Sequence, residues 1–330
     1  MKIYSDHLEN GCVEALLLIE PREAAQWDGT ETAVNAAIAR YAQERELGML
    51  LFPRVLDCDE QDDGAILMRF EAAVKPRVTL GAYKGLSVGV PQTEGERFAQ
   101  AALEKASENA AVEIPALLVE RRLELMRLQR RNDVLQSASY QTLADVWAIL
   151  KDCNEQLEIP QSPEWLWARA MELTSRLSAE EDRGVDTLIS SLAEALYGED
   201  YDPDELRTVG EAIEKRLRRR EETDAETAAE VLFALYLKTR SQSEEDWQEE
   251  YRITAAELVR TELMLDAVAE AEELIIGNDE LQRQAAALGG EYGLTAQQVL
   301  ELTGEENLRF QLLRAKARTL IVESAAESRF

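Results

Sequence analysis

Apolar positions in residues 1–91 change spacing several times, which predicts a small domain that mixes strands with helices. The run Cys12–Ile19 is continuously apolar, as is typical of a buried strand. Residues 30–47 place apolar side chains three and four apart, which predicts a helix with Gly48 as its stop. Two further β-type runs, residues 49–58 and 65–78, flank a short acidic turn.

From residue 93 onward the spacing of apolar positions is mostly helical. Thr93 and Glu96 have the spacing of a capping box, which predicts that a helix begins at Thr93. An amphipathic helix is predicted over residues 115–131, and residues 136–242 continue with apolar positions at helical intervals. The predicted fold class is therefore α+β, with a small mixed N-terminal domain followed by a large all-α domain.

Composition supports an ordered protein and restricts its partners. The 330 residues are 45% apolar and 31% charged, which is enough material for a buried core. The formal net charge of -29 opposes binding to nucleic acid or to an anionic membrane, because phosphate groups would be repelled. We therefore predict that neither nucleic acid nor a membrane is a partner.

Few residues are available for catalysis or metal binding. His7 is the single histidine, and the three cysteines, Cys12, Cys58 and Cys153, are far apart. No zinc-type spacing and no nucleophile–histidine pair results, so we predict no catalytic residue, no metal site and no cofactor. Three scattered thiols and a start without a secretion signal favour a cytoplasmic protein.

Three local patterns have simple structural interpretations. Asp202, followed by a proline and two further acidic residues, predicts a helix N-cap rather than a calcium loop. The basic residues 215–220 fall toward the end of a predicted helix, where the helix dipole favours cations. Trp165 and Trp167 lie two positions apart and are expected to pack in a core on different helix faces.

Two short stretches resemble markers of trigger factor, the ribosome-associated chaperone of bacteria. Residues 70–91, FEAAVKPRVTLGAYKGLSVGVP, resemble the end of its ribosome-docking domain. Residues 112–126, VEIPALLVERRLELM, resemble the start of the main helix of its C-terminal chaperone domain. The resemblance implies a shortened N-terminal domain at residues 1–91 and a helical chaperone domain with arms at residues 92–330, with a helical insertion at about 136–242.

Two departures from the family pattern change the expected activity. In the family an FKBP-type prolyl isomerase domain lies between the two markers, and about 20 residues cannot hold a domain. The family also grips the ribosome through a loop with Gly-Phe-Arg-Lys, and Phe-Arg-Lys occurs nowhere in this sequence. We therefore expect no prolyl isomerase activity, and weak or absent ribosome binding.

The resemblance implies a non-enzymatic, ATP-independent chaperone that holds unfolded or nascent polypeptide in a helical cradle. Candidate client-binding residues on the matched helices are Leu117, Met126, Leu263, Met264 and Leu312. Leu and Met also suit core positions, so a structural role is open for each. The alternative is a dedicated partner-binding or assembly protein in which the insertion fills the cradle. Client identity and oligomeric state, monomer or homodimer, do not follow from the sequence.

Overall fold

The computed structural model describes residues 1–47, 49–157, 160–179 and 185–327, so the predicted helix stop Gly48 lies outside the described residues. The chain divides into two compact units, and each is described by itself below. Unit 1 comprises Met1–Leu123 and Arg252–Phe330, and unit 2 comprises Glu124–Tyr251. The chain is mostly helical with a small N-terminal sheet, which confirms the predicted fold class at this level.

The regular elements follow chain order. The strands are β1 (Lys2–Glu9), β2 (Cys12–Ile19), β3 (Leu50–Glu60), β4 (Ile66–Val74), β5 (Ser87–Val88) and β6 (Ala326–Glu327). The α-helices are α1 (Pro21–Ala24), α2 (Thr30–Glu44), α3 (Glu96–Asn109), α4 (Ala116–Leu135), α5 (Ala138–Asn154), α6 (Pro163–Ala179), α7 (Val185–Tyr197), α8 (Pro203–Glu222), α9 (Ala225–Thr239), α10 (Glu244–Ala271), α11 (Asn278–Tyr292), α12 (Ala296–Thr303) and α13 (Glu305–Ser324).

Unit 1 begins with an antiparallel sheet in the order β1-β2-β4-β3. Asn10 and Gly11 form the tight turn between β1 and β2, and both have positive φ, 48° and 74°. This is the backbone conformation that a two-residue hairpin turn requires, which explains the Asn-Gly pair. The apolar pattern predicts no strand before Cys12, and β1 corrects that expectation. His7 accordingly lies in a paired strand, opposite Glu14.

One face of the sheet packs against α2. Alternate residues of β2 and β4 point toward the helix, as the period of two in a strand requires. The Tyr41 ring meets the Phe70 ring edge-on at a centroid distance of 5.4 Å, and the Tyr41 hydroxyl donates to Asp6 Oδ2 at 3.0 Å. The buried residues of this core are Val13, Ala15, Leu17, Ile19, Ala33, Val34, Ala37, Ile38, Tyr41, Ile66, Met68, Phe70 and Ala72.

The helical part of unit 1 is built around α3, the C-terminal part of α10, and α13. The short parallel pair β5–β6 closes one side of this core. An ion-pair network reinforces it, because Arg314 donates to Asp266 through two nitrogens, at 2.6 and 2.7 Å, and also pairs with Glu262. The buried residues are Leu86, Val88, Phe98, Ala102, Leu103, Ala106, Ala110, Met264, Leu265, Val268, Ala269, Ala317, Ile321 and Ala325.

Unit 2 contains only helices and turns in its described residues. Helices α5 to α8 enclose one core, with Leu150, Ala170, Leu173, Leu192 and Val209 fully buried. A second core, rich in aromatic residues, joins α9 to the parts of α4 and α10 that belong to this unit. The helical character expected of residues 136–242 is thus observed, whereas the predicted domain boundaries stay a prediction.

The two predicted caps have different outcomes. The box at Asp202 is confirmed, because its Oδ1 accepts from the backbone N–H groups of Asp204 and Glu205 at 2.8 and 2.9 Å. The box at Thr93 is wrong. Residues 92–94 form a 3₁₀ turn and α3 begins only at Glu96. The Glu96 carboxylate accepts from Arg318 at 2.6 Å and not from the Thr93 backbone N–H.

Cysteine reactivity gives a first test of the fold. Cys153 is buried in unit 2, and this burial raises the pKa of its thiol to about 11. At pH 8 only about 0.1% of such a thiol is ionised, and the thiolate is the reactive form. We expect an aromatic disulfide reagent to leave Cys153 unmodified in the native protein and to modify the exposed Cys58.

Unfolding in guanidinium provides the control, because all three cysteines should then react. Cys58 should react more slowly in the native protein than a free thiol does, since partial burial and its acidic neighbours Asp59 and Asp57 raise its pKa. Native modification of Cys153 at the rate of Cys58 would contradict the packing of α5.

Candidate functional site

A groove between α11 and α13 in unit 1 has an apolar floor and a charged rim. Its volume is about 620 Å³. The residues that line it are Glu280, Gln284, Leu312, Ala315, Lys316, Thr319, Leu320, Glu323 and Ser324. Leu312, Ala315 and Leu320 supply the apolar part of the α13 lining, and they lie on the side of the helix that faces the groove. We call this site the α11–α13 groove.

Polar contacts hold the two helices of this groove together. Lys316 Nζ donates to Glu280 Oε2 at 2.7 Å and to the Ile275 carbonyl at 3.0 Å. Arg309 donates to the Ile276 carbonyl at 2.6 Å and to the Asn278 side chain. Asn278 therefore pairs with an arginine, and Gly277 is the N-cap of α11.

A small apolar core lies beneath the groove. Its buried residues are Ile276, Leu281, Ala285, Val299 and Leu308. Leu312 packs partly against this core and partly lines the groove. A half-buried leucine of this kind can contact a bound apolar side chain without leaving its own packing partners.

A second groove in unit 1 lies between α2 and the start of β3, with a volume of about 500 Å³. Ile38, Ala42, Leu50 and Pro53 supply its apolar lining. The adjacent edge strand exposes Phe52, which is 57% accessible. Exposed edge strands can accept an extended peptide, but Pro53 and two bulges in β3 interrupt the edge.

Aromatic residues of unit 2 contact one another and nearby cations. The rings of Trp147 and Trp167 meet at right angles with centroids 5.2 Å apart, and Lys238 Nζ lies 4.2 and 4.1 Å from the two centroids. Burial, with a contribution from Lys151, lowers the pKa of Lys238. Trp165 and Trp167 are both partly buried against the helical core, which is the packing role expected from the sequence.

The basic residues at the end of α8 form ion pairs within unit 2. Arg216 donates to Asp145 at 2.9 Å, Arg220 pairs with the same carboxylate at 3.2 Å, and Lys215 pairs with Asp152 at 3.1 Å. These carboxylates neutralise much of the local positive charge. The cluster therefore connects α8 to α5 and leaves little unpaired positive charge for binding a phosphate group.

The five predicted client-binding residues are distributed over several environments. Leu117 and Leu263 belong to a small apolar cluster that also contains Ala73, Leu118 and Val259. Met264 is fully buried in the helical core of unit 1. Met126 is half-buried in the aromatic core of unit 2. Of the five, Leu312 lines one of the two grooves described above. Client binding by any of them stays a prediction.

Sequence reasoning missed Leu320 and the exposed edge residue Phe52. The signal for Leu320 was present, because it repeats the helical phase of Leu312 after eight residues. For Phe52 no local signal exists, since only the strand order places β3 at the edge of the sheet.

The described residues contain neither a metal-type cluster of side chains nor a membrane-spanning helix. Across residues 1–47, 49–157, 160–179 and 185–327, no group of three or more His, Cys, Asp or Glu side chains is arranged to hold a metal ion. Within the same part of the chain, no helix has the length and apolar character needed to cross a membrane.

Comparison with known proteins gives matches to one family. Residues 207–323 match the family model described as the bacterial trigger factor protein C-terminus. Trigger factor of Streptococcus mutans serotype c is 23% identical over 180 residues, covering 54% of this chain and 40% of that protein. Trigger factor of Frankia alni is 36% identical over 96 residues, covering 28% and 20%.

The matched share of the relatives is small. Trigger factor of Mycobacterium leprae is 32% identical over 99 residues, which cover 30% of this chain and 21% of that protein. The chain thus spans less than half the length of the curated relatives it matches. A solved trigger factor chaperone, studied for promiscuous substrate recognition in folding and assembly, aligns over 98% of this chain and 99% of its own, with 14% identity and a TM-score of 0.33. The family-model match and the curated relatives agree, and the protein is trigger-factor-like.

Proposed function

We propose that the protein is a chaperone that holds exposed apolar segments of unfolded polypeptides, without ATP and without prolyl isomerase activity. The observation that carries the proposal is that the family-model match, residues 207–323, includes nearly all of the α11–α13 groove. The same region exposes several large apolar side chains. These are Leu217, Val231, Ile253, Leu258, Ile275, Leu288, Tyr292, Leu302 and Phe310.

The chemistry of the groove suits weak and reversible binding. Full burial of one client leucine or phenylalanine is worth about 1.5–3 kcal/mol. Ordering the client chain and losing its free motion offset much of this gain, so a few such contacts give a modest affinity and spontaneous release. The charged rim, with Lys316, Glu280 and Glu323, stays hydrated beside a bound client. The net charge of -29 keeps the complex dispersed.

The proposed lack of isomerase activity is supported by the segment between the two family markers. Residues 92–112 contain one 3₁₀ turn and α3. Phe98, Leu103 and Ala106 of α3 are buried in the core of unit 1, so this segment is part of the chaperone-like body. The proposed weakness of ribosome binding is supported by the short connection of residues 25–29 between α1 and α2, which lacks Phe-Arg-Lys. The free cysteines suit action in a reducing cytoplasm.

Suppression of client aggregation tests the proposal. We expect the protein to lower the light scattering of several unrelated unfolded clients in a stoichiometric manner, with no effect of added ATP. Replacing two groove residues, Leu312→Gln and Leu320→Gln, should raise the amount of chaperone needed for half-suppression by about tenfold. Loss of two apolar contacts worth about 1.4 kcal/mol together accounts for that factor.

Leu8→Gln is the matched control. Leu8 is 53% exposed on β1 and lies outside both the groove and residues 207–323, so this variant should suppress aggregation like the wild type. Circular dichroism should show that the double variant remains folded. A protein that suppresses no client, yet binds one specific partner tightly, would contradict the chaperone proposal and support the dedicated assembly factor.

A further inference from the structure

A third cavity in unit 1, of about 670 Å³, differs in charge from the rest of the molecule. Three cations line it, Lys75, Arg77 and Arg260, with one carboxylate, Glu113. The lining thus carries a formal charge of about +2, in a chain whose net charge is -29. The surface at this cavity is therefore locally positive, although the chain as a whole is acidic.

Two of the three cations have no internal partner. Lys75 forms an ion pair with Glu270. Arg77 and Arg260 are exposed, and neither has a hydrogen-bond or ion-pair partner among the described residues. Most arginines of the described chain are paired with carboxylates, as Arg314 is with Asp266. Two guanidinium groups left unpaired on one cavity are available for an anion from outside.

The cavity is built on a fixed backbone frame. Four separate segments form it, namely the β1–β2 turn, the chain that leaves β4, the connection from α3 to α4, and α10 through Arg260. The Val74 N–H donates to the Gly11 carbonyl at 2.8 Å, and Thr79 and Ala111 exchange two backbone hydrogen bonds of 2.9 Å. A Cβ at Gly11 would approach Pro115 Cγ to 3.0 Å, so the turn lies directly against the start of α4.

The walls between the cations are apolar. Val74, Pro76, Val112 and Pro115 supply them. A cavity of this volume holds a ligand larger than a single small anion. Arginine presents a planar fork of donors that matches a carboxylate in two parallel hydrogen bonds. The combination fits a carboxylate side chain carried by a peptide that also has apolar neighbours.

We propose that this cavity, defined by Lys75, Arg77 and Arg260, binds an acidic segment of a polypeptide, with its carboxylates on Arg77 and Arg260. Nucleic acid is disfavoured, because a long polyanion would meet the repulsion of the whole chain. A short acidic segment meets only local charge, since interactions beyond about 8 Å are screened at physiological salt. The statement that the bound segment belongs to a chaperone client rests on the proposed function. The existence of the binding site does not rest on it.

Binding of two labelled peptides tests the inference. The first is a fluorescent nine-residue peptide with two Glu among Leu, Ser and Gly, amidated at its C-terminus, and the second has Gln in place of both Glu. Fluorescence anisotropy should give about fivefold tighter binding of the Glu peptide, a preference of the size expected for charge-assisted hydrogen bonds at an exposed site. The preference should disappear in 0.5 M salt.

Arginine variants identify the site. Arg77→Gln with Arg260→Gln should reduce the preference to less than twofold, whereas Arg283→Gln should keep it. Arg283 is an exposed arginine of α11 outside the cavity, and it has no partner among the described residues, so it controls for the loss of a positive charge away from the cavity. Equal binding of the two peptides by the wild type, or an unchanged preference in the double variant, would overturn the inference.

Further experiments distinguish an acidic polypeptide from other anionic ligands, and they test this site separately from the proposed function. Full displacement of the Glu peptide by 10 mM inorganic phosphate, or tighter Arg-dependent binding of a labelled oligonucleotide, would overturn the choice of an acidic polypeptide. Aggregation suppression without a Glu preference refutes this site alone. An Arg-dependent Glu preference without aggregation suppression supports the site and refutes the proposed function.

Discussion

Replacing Trp247 with alanine is expected to lower the free energy of unfolding of unit 2 by about 3–5 kcal/mol. Trp247 is 1% exposed, and it is among the largest fully buried side chains in the described chain. Its ring stacks on Tyr251 with centroids 4.6 Å apart and meets Phe233 edge-on at 5.9 Å. Truncation at Cβ would leave a cavity between these rings that the helices α9 and α10 cannot close without moving.

Two comparison variants separate burial from the polar end of the indole. Trp27→Ala removes the same side chain from a site that is 47% exposed, so its cost should stay within about 0.5 kcal/mol. Trp247→Phe should cost clearly less than alanine, because the buried indole Nε1–H has no hydrogen-bond partner among the described residues and the substitution removes it. Urea unfolding followed by near-ultraviolet circular dichroism measures all three. A similar cost for Trp247→Ala and Trp27→Ala would contradict the packing of this core.

Most helices could be predicted from the sequence, and the errors have a common physical origin. Periodicity locates α2, α4 and α10 because each buries one stripe of its surface. It missed β1, whose residues are almost all exposed and carry no alternation. Only the partner strand β2 and the Asn10-Gly11 turn make residues 2–9 a strand. The predicted cap at Thr93 is also wrong. Gly95, with a φ of 44°, is the N-cap of α3, and the helix begins at Glu96.

Candidate surface residues were harder to predict than helices. The pattern of Leu263 and Met264 is that of an apolar stripe, but both are covered. Helices α3 and α13 pack over Met264, and Leu263 lies in a cluster with Ala73 and Leu118. Leu312 has the same pattern and lines a groove, because its neighbour α11 covers only part of it. Periodicity shows that a face is apolar, and only the packing of the other helices shows whether the face is covered.

The cationic cavity could not have been predicted from the sequence. Its cations come from residues 75–77 and from Arg260, which are more than 180 positions apart, and its frame adds residues 10–11 and 110–115. Each arginine alone looks like an ordinary surface residue. Their meeting depends on the β1–β2 turn resting against Pro115, which is a property of the folded unit.

The division into units leads to a prediction about removing the helical insertion. The aromatic core of unit 2 joins Val134 of α4, Phe233 of α9 and Trp247 of α10. An excision of residues 136–242, the insertion suggested by the sequence, would remove Phe233 and its neighbours and leave Trp247 exposed. An excision of residues 124–251 would remove the whole unit with its cores. The two deletions differ in what they expose, so they should differ in solubility.

The linker for the larger excision follows from helix geometry. Leu123 and Arg252 become the ends to be joined. Arg122 pairs with Glu262, and Arg252 lies ten residues before Glu262 on the same helix, which is about 15 Å at 1.5 Å per residue. A flexible Gly/Ser linker of about ten residues has a root-mean-square span of roughly 16–19 Å, which matches this distance.

We expect the 124–251 excision to give a soluble monomeric protein with one cooperative thermal transition, and the 136–242 excision to aggregate. The cores around Phe70, Met264 and Leu281 are built from residues of unit 1, so the larger deletion leaves them complete. The smaller deletion leaves a large apolar patch around Trp247 and Val134, and patches of this kind promote association. Size-exclusion chromatography and calorimetry of both proteins measure the difference. Aggregation of the 124–251 excision alone would show that unit 1 depends on unit 2 for its stability.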